Sequence, residues 1–162
     1  MVASQPAAVT TAEHVEYQRE GFLVTTDPDR FDRAAIHAFL SRSYWAEGIP
    51  RETVDRSIEG SLGFGLFEGV LQIGFARVVT DRATFAYLAD VYVLESRRGR
   101  GLGRWLVSCV MAHPHLQGLR RWNLATRDAH DVYRPAGFEP LRRPERYMEK
   151  VLVNPYRRTE AS

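Results

Sequence analysis

From Leu62 to Leu94 the apolar residues fall into three stretches with a period of two, and the third runs straight into a loop crowded with glycine and arginine. Leu62 to Phe67 and Val70 to Val79 read as strands joined at Glu68-Gly69, where Gly69 can take the positive φ of a tight turn. Thr80 to Ala83 turns the chain again. Thr84 to Leu94 is apolar on both faces except at Asp90, so this strand has to be covered from both sides. A three-stranded antiparallel meander is expected, with helices before and after it.

The flanking sequence supplies such helices. Val15 to Thr25, broken at Gly21, predicts a short hairpin or a bent strand. Asp27-Pro28 offers a capping carboxylate and a proline at the first helical position, followed by Phe31, Ala35, Ala38 and Phe39 at helical spacing. Ser43 to Pro50 interrupts this helix, and Pro50 opens a second one with Val54 and Ile58 one turn apart, closing near Gly60. Beyond the loop Glu95 to Gly101, a helix carries Leu102, Leu106 and Cys109 or Val110 on one face and stops before His113-Pro114. Trp122 to Thr126 predicts a strand, Ala129 to Ala136 a short helix, and Phe138 to Leu141 with Tyr147 to Val153 a final strand pair. The order implies an α+β, or mixed α/β, fold with helices on both faces of the sheet. With 162 residues one domain is expected, spanning 13–162 behind a loose, flexible tail at 1–12.

Composition narrows the function. An apolar fraction of 44% with 18 aromatic residues excludes a disordered chain. A net charge of +2 is too small to make nucleic acid or an anionic membrane the main partner. Cys109 is the only cysteine, which fits a reducing, cytoplasmic setting and excludes a zinc site built on cysteines. His37, His113 and His115 lack ligand spacing, so no metal is expected. Met1 to Ala12 has neither a basic start nor an apolar run, so it reads as neither a signal peptide nor an anchor. Lys150 is the only lysine against 21 arginines, a bias spread along the chain in the manner of genomic base composition.

The chemistry concentrates in Arg97-Arg98-Gly99-Arg100-Gly101-Leu102-Gly103-Arg104, between a buried strand and an amphipathic helix. Strand, glycine loop and helix together aim backbone N–H groups and a helix N-terminus at an anion, which predicts a phosphate site. No Lys-Ser/Thr follows, and the spacing fails the dinucleotide pattern G-x-G-x-x-G. A basic turn capping a helix accounts for the glycines equally well on this ground alone.

Two motifs make the chain resemble the GNAT superfamily of acyl-CoA-dependent N-acetyltransferases. Arg98 to Gly103 is similar to that family's pyrophosphate signature Q/R-x-x-G-x-G/A, and Leu88 to Val93 to the strand before it. Ala129, Tyr133 and Gly137-Phe138 resemble its A-x-x-x-Y-x-x-x-G-F segment. The resemblance covers roughly residues 62 to 150 and implies a splayed, mostly antiparallel sheet with acetyl-CoA as cosubstrate. Pantetheine would lie along Val91, Tyr92 and Val93, and the N–H groups from Gly99 through Leu102 to Arg104 would hold the pyrophosphate, with Arg98 and Arg100 beside them. A bulge in the strand would open the gap.

By the same resemblance Tyr133 is the general acid that protonates the departing thiolate, the Val93 N–H polarises the thioester carbonyl, and Tyr133 could instead simply pack its short helix. Asp90 is a candidate base or a structural carboxylate, with His130 and Asp128 behind it. Two positions depart from the family: Thr126 stands where many members have asparagine, and Pro135 interrupts the helix after Tyr133. Acceptor specificity would come from the connection between the first two helices, where Tyr44 and Trp45 either wall a pocket or anchor the loop. Phe64 and Phe67, on the first strand of the meander, are ambiguous in the same way, and the carboxylates Glu47, Glu52, Asp55 and Glu59 either attract an amine or form a solvated helix face. The acceptor is expected to be a small-molecule or protein amine; a homodimer through an edge near Tyr147 to Val153 is a further expectation. A catalytically idle acyl-CoA-binding or sensing domain on the same fold is the alternative.

Overall fold

The computed structural model describes residues 5–11, 13–153 and 155–156. Seven strands form one sheet in sequence order: β1 (Ala8–Thr10), β2 (Val15–Arg19), β3 (Phe22–Thr25), β4 (Leu62–Glu68), β5 (Leu71–Thr80), β6 (Phe85–Val93) and β7 (Arg121–Asn123). Every neighbouring pair is antiparallel except β6 and β7, which run parallel. The expected meander is therefore the centre of a larger sheet. The hairpin expected at Val15 to Thr25 is β2 and β3.

Helices α1 (Arg33–Leu40) and α2 (Arg51–Glu59) cover one face, and α3 (Leu102–Ala112) covers the other, with α4 (His130–Tyr133) beside it. Each face has its own core. Ile36, Leu40, Val54 and Ile58 pack with Phe75 and Tyr92, whereas Leu102, Leu106 and Val110 pack with Phe64, Leu66 and Val78. Leu62, Phe64 and Leu66, at every second position of β4, face the α3 core, and Gly63 and Gly65 between them leave room for Phe31 of the α1–α2 core, which pins the register.

Several elements differ from the sequence-based expectation. Asp27 caps only a 3₁₀ turn at Pro28–Arg30; α1 starts later because Asp32 accepts from the Ala35 N–H at 2.9 Å. The strand expected at Trp122 to Thr126 is shorter and shifted, since pairing with β6 ends at Asn123. The helix expected over Ala129 to Ala136 is α4 followed by a 3₁₀ turn at Arg134–Ala136. Part of the expected tail is ordered: Ala8–Thr10 pairs with β2, while Met1 to Ser4 and Ala12 lie outside the described residues. The final strand pair is absent, and residues 139–153 are exposed throughout. No helix among the described residues is long and apolar enough to cross a membrane.

Candidate active site

Strand β6 breaks its register at Asp90. Phe75 faces Tyr92 and Arg77 faces Ala89, so two residues of β6, Asp90 and Val91, stand opposite Ala76 alone. Asp90 takes the left-handed conformation, φ +53°, unusual for a residue with a side chain. This is the expected bulge, and it bends β6 away from β7. The two strands pair only over Phe85 to Tyr87 and Arg121 to Asn123; beyond that they diverge and leave the side of β6 from Leu88 to Val93 without a paired strand among the described residues.

The bulge is held by side chains. Arg77 Nε donates to Asp90 Oδ2 at 2.5 Å and Trp45 Nε1 donates to Oδ1 at 2.9 Å. Arg77 also donates to the Ser61 hydroxyl, tying the strand to the end of α2. Asp90, expected as a base or as a structural carboxylate, thus lines the gap while committed to two strong donors. Its ties run to side chains rather than to loop N–H groups.

A cavity of about 610 Å³ opens in the gap. One wall is Leu88 to Val91 and the opposite wall is Ala125 to Ala129 with Tyr133. Tyr44 and Trp45 close a third side, their rings edge to face at 5.0 Å. Tyr44 is fixed by Arg127, whose backbone N–H donates to its hydroxyl and whose guanidinium lies 3.9 Å from its ring centroid. Both aromatics line the cavity, and Trp45 also ties the α1–α2 connection to the bulge through Asp90. Tyr156 and Tyr87 complete the lining, as does Asp128, whereas His130 faces a separate hollow behind the Ala125 wall. Phe64 and Phe67 are core, and Asp55 and Glu59 pair with Arg33, away from the cavity.

At its C-terminal end β6 reaches the glycine loop. Leu94 N–H donates to the Ile73 carbonyl at 2.8 Å, so by the alternation of an antiparallel ladder the Val93 N–H and C=O point away from β5 and into the gap. Arg98 Nε takes the Val93 carbonyl at 3.1 Å. That leaves the Val93 N–H directed into the gap, beyond the end of the cavity at Val91. Tyr92, expected along the cofactor path, offers the gap nothing: by the same alternation its backbone faces Phe75 on β5, and its ring stacks on Phe39 at 3.8 Å in the α1–α2 core.

Gly99 and Gly101 adopt φ of +79° and +72°, and Gly101 in this conformation starts α3 without any side-chain cap. The first N–H groups of α3, from Leu102, Gly103 and Arg104, have no partners within the helix. No acidic residue occupies its first turn. A Cβ at Gly103 would make only ordinary contacts, so packing does not demand glycine there; room above the backbone is what it leaves. Free donors, the positive end of an eleven-residue helix and open space fit a pyrophosphate. Arg104 is exposed beside them. Arg97 and Arg100 bind the Glu68 carboxylate at 2.5 and 3.3 Å and hold its pKa below the usual range. Arg100 also lies over Phe22.

Tyr133 ends α4 with its phenol between the two hollows. Burial, with Tyr44 as a lesser cause, pushes its pKa up to about 12, so it stays protonated through the neutral range. Pro135 disturbs nothing, because the α-helix has already ended and the proline sits inside the 3₁₀ turn. Thr126, in place of the family's asparagine, accepts from the Ala129 N–H at 3.0 Å and so caps the approach to α4. Cys109 is fully buried and its thiol pKa is raised to about 12, so it is core. Among the described residues no three His, Cys, Asp or Glu side chains gather as a metal site.

The sequence alone missed Arg77, Glu68, Tyr87 and Tyr156. A lone arginine in the middle of the apolar β5 pattern was the one available signal for Arg77, opposite the lone carboxylate of β6.

A splayed sheet, a glycine loop at a helix start and a tyrosine across the gap define an acyltransferase-like site, and comparison with known proteins agrees. Residues 63–140 match the profile of the acetyltransferase (GNAT) domain. A Gibberella zeae protein, named as a provisional acetyltransferase, is 34% identical over 69% of this chain and 75% of its own. A crystal structure from Xanthomonas campestris pv. campestris, assigned provisionally to the same family, is 47% identical, covers 86% of this chain and 99% of its own, and superposes with a TM-score of 0.82. A Clostridium acetobutylicum structure solved with acetyl-CoA shares the fold at 15% identity and a TM-score of 0.60, covering 82% of this chain and 96% of its own. The chain belongs to the GNAT acetyltransferase family.

Proposed function

We propose that the protein transfers the acetyl group of acetyl-CoA directly to a primary amine. The observation that carries this reading is the open side of β6, which runs from the Asp90 bulge to the uncapped start of α3 with Tyr133 facing it. The N–H groups from Gly99 to Arg104 bind the pyrophosphate, and Arg98 and Arg100 add positive charge beside it. Val91 and Val93 pair with pantetheine through backbone groups left free by the splay, while Tyr92 between them stays turned to β5.

In the gap the Val93 N–H donates to the thioester carbonyl as negative charge develops there. The acceptor nitrogen, unprotonated, attacks the carbonyl carbon; the C–N bond forms, the C–S bond breaks, and Tyr133 gives its proton to the leaving sulfur. A phenol held at about 12 remains a donor across the working range and recovers its proton from the acylated nitrogen or from water. Asp90 keeps Trp45 and the bulge in place, and as a lining carboxylate it can take the amine proton through a water.

Release of coenzyme A, followed with a thiol reagent against a panel of small amines and peptide N-termini, tests the proposal. Turnover with at least one acceptor, and its collapse in Tyr133→Phe, is the expected result. If acetyl-CoA stabilises the protein against heat but no acceptor turns over, the chain is instead an acyl-CoA-binding domain.

A further inference from the structure

The cavity beside β6 says more about its occupant than the need for an amine. Among the described residues its charged lining is Arg77, Asp90, Arg127 and Asp128, two cations against two carboxylates. A polycationic acceptor such as a polyamine would find no excess of negative charge there. Most of the remaining wall is apolar or aromatic, with Tyr44, Trp45, Tyr87 and Tyr156 standing around the cavity. Tyr44 and Trp45 are 48% and 42% exposed, so ring surface lies bare where a ligand would cover it.

The two ion pairs are unlike each other. Arg77 and Asp90 meet at 2.5 Å with side chains 19% and 10% exposed, and Arg77 also reaches Ser61, so this pair is committed to the bulge. Arg127 Nη2 lies 3.6 Å from Asp128 Oδ2 with both side chains 65% exposed, too far for a hydrogen bond and too wet for a strong pair. The Arg127 guanidinium sits 3.9 Å from the Tyr44 ring centroid, so the ring takes its face. The N–H groups at its edge make no hydrogen bond among the described residues. A planar fork with unspent donors, held in place on an aromatic wall, is suited to a carboxylate.

Resting on the acetyl-transfer reading, we propose that the acceptor is a free aromatic α-amino acid whose carboxylate is held by Arg127. An α-carbon carries three unlike groups, and the cavity has three unlike walls. The amine faces β6 at Asp90 and Val91, the carboxylate faces Arg127 across the gap, and the ring enters among Tyr44, Trp45 and Tyr156. A peptide N-terminus, with an amide in place of the carboxylate, leaves Arg127 without an anion. The volume of about 610 Å³ suits a small ligand of this kind. The C–N bond forms, the C–S bond breaks, the sulfur takes the Tyr133 proton and the amine proton leaves through water. The products are an N-acetylamino acid and coenzyme A.

Initial rates with L-phenylalanine, 2-phenylethylamine, L-alanine and spermidine at saturating acetyl-CoA test the proposal. Phenylethylamine is phenylalanine without its carboxylate, and kcat/KM should fall by about 30-fold on that loss, the size of a bidentate charged hydrogen bond. Alanine should be at least ~10-fold poorer than phenylalanine, for want of the ring. Arg127→Gln should raise the KM for phenylalanine until its advantage over phenylethylamine is gone, and Arg127→Lys, which keeps the charge without the fork, should restore only part of it. Stabilisation of the variants by acetyl-CoA against heat reports that they are folded. Equal rates with phenylethylamine or alanine, a preference for spermidine, or a preference for phenylalanine that survives Arg127→Gln overturns the proposal and leaves acetyl transfer standing. If no acceptor turns over, calorimetry with L-phenylalanine on the coenzyme A complex separates the two claims. Binding that Arg127→Gln abolishes keeps the ligand and removes the transfer, and no binding overturns both.

Discussion

The two ends of the cleft are built on different principles. At the loop end, the proposed cofactor site is built from backbone: two glycines with positive φ, the uncapped first turn of α3 and the inward-facing Val93 N–H. At the other end, the proposed acceptor cavity is built from side chains drawn from distant segments, with Trp45 on the α1–α2 connection, Arg77 on β5, Asp90 on β6, Arg127 after β7 and Tyr156 beyond residue 153. A backbone site recognises one fixed chemical group and depends on a few conformations. A side-chain site can change its specificity residue by residue while the strand that presents the acyl group stays where it is.

The largest effect is expected at the backbone end. Gly101→Glu puts a side chain where φ is +72° and a carboxylate where an anion should bind; acetyl-CoA affinity should fall at least ~100-fold, read as loss of its thermal stabilisation. An unchanged shift would mean that the pyrophosphate lies elsewhere. Tyr133→Phe, between the two ends, should lower kcat by about 100-fold with the KM for acetyl-CoA unchanged. In the wild type no alkaline loss of kcat should appear up to pH 10, because the phenol titrates near 12 rather than at its ordinary 10. An alkaline limb near 10 would place Tyr133 in a wetter setting than its burial implies.

At the side-chain end, Asp90→Ala leaves Arg77 unpaired and frees Trp45. A loss of about 2 kcal/mol in stability is expected, with a rise in acceptor KM of about tenfold and little change for acetyl-CoA. Asp90→Asn separates positioning from proton transfer. It keeps an oxygen for Trp45, so restored KM with normal kcat assigns Asp90 to positioning, and a lowered kcat with restored KM assigns it to the base. The smallest effect is expected for Glu68→Gln, which releases Arg97 and Arg100 and should lower the KM for acetyl-CoA by two- to threefold, judged by the modest size of exposed ion pairs. A rise would give Glu68 a bracing role instead.

The same contrast explains what the sequence made legible. The loop segment is contiguous, so Arg98 to Arg104 and the strand before it could be recognised as a unit, and β4, β5 and β6 followed from apolar stretches separated by the turns at Glu68-Gly69 and Thr80 to Ala83. Asp90 stood out because it was the lone carboxylate in an apolar strand. Its partner Arg77 was hidden within a strand pattern, and Tyr156 joins the cavity only through the path of the C-terminal arm, which no local pattern encodes. The expected strand pair at Phe138 to Leu141 and Tyr147 to Val153 shows the opposite error. Its β-propensity is real, but in one chain nothing pairs with it, because pairing is a property of neighbours rather than of the segment.

The most direct test of the account is a crystal structure with bound acetyl-CoA. It should place the pyrophosphate on the N–H groups of Gly99 to Arg104, the thioester carbonyl on the Val93 N–H, and the sulfur within about 3.5 Å of the Tyr133 hydroxyl. A pyrophosphate bound away from the α3 N-terminus, or a sulfur remote from Tyr133, would contradict it.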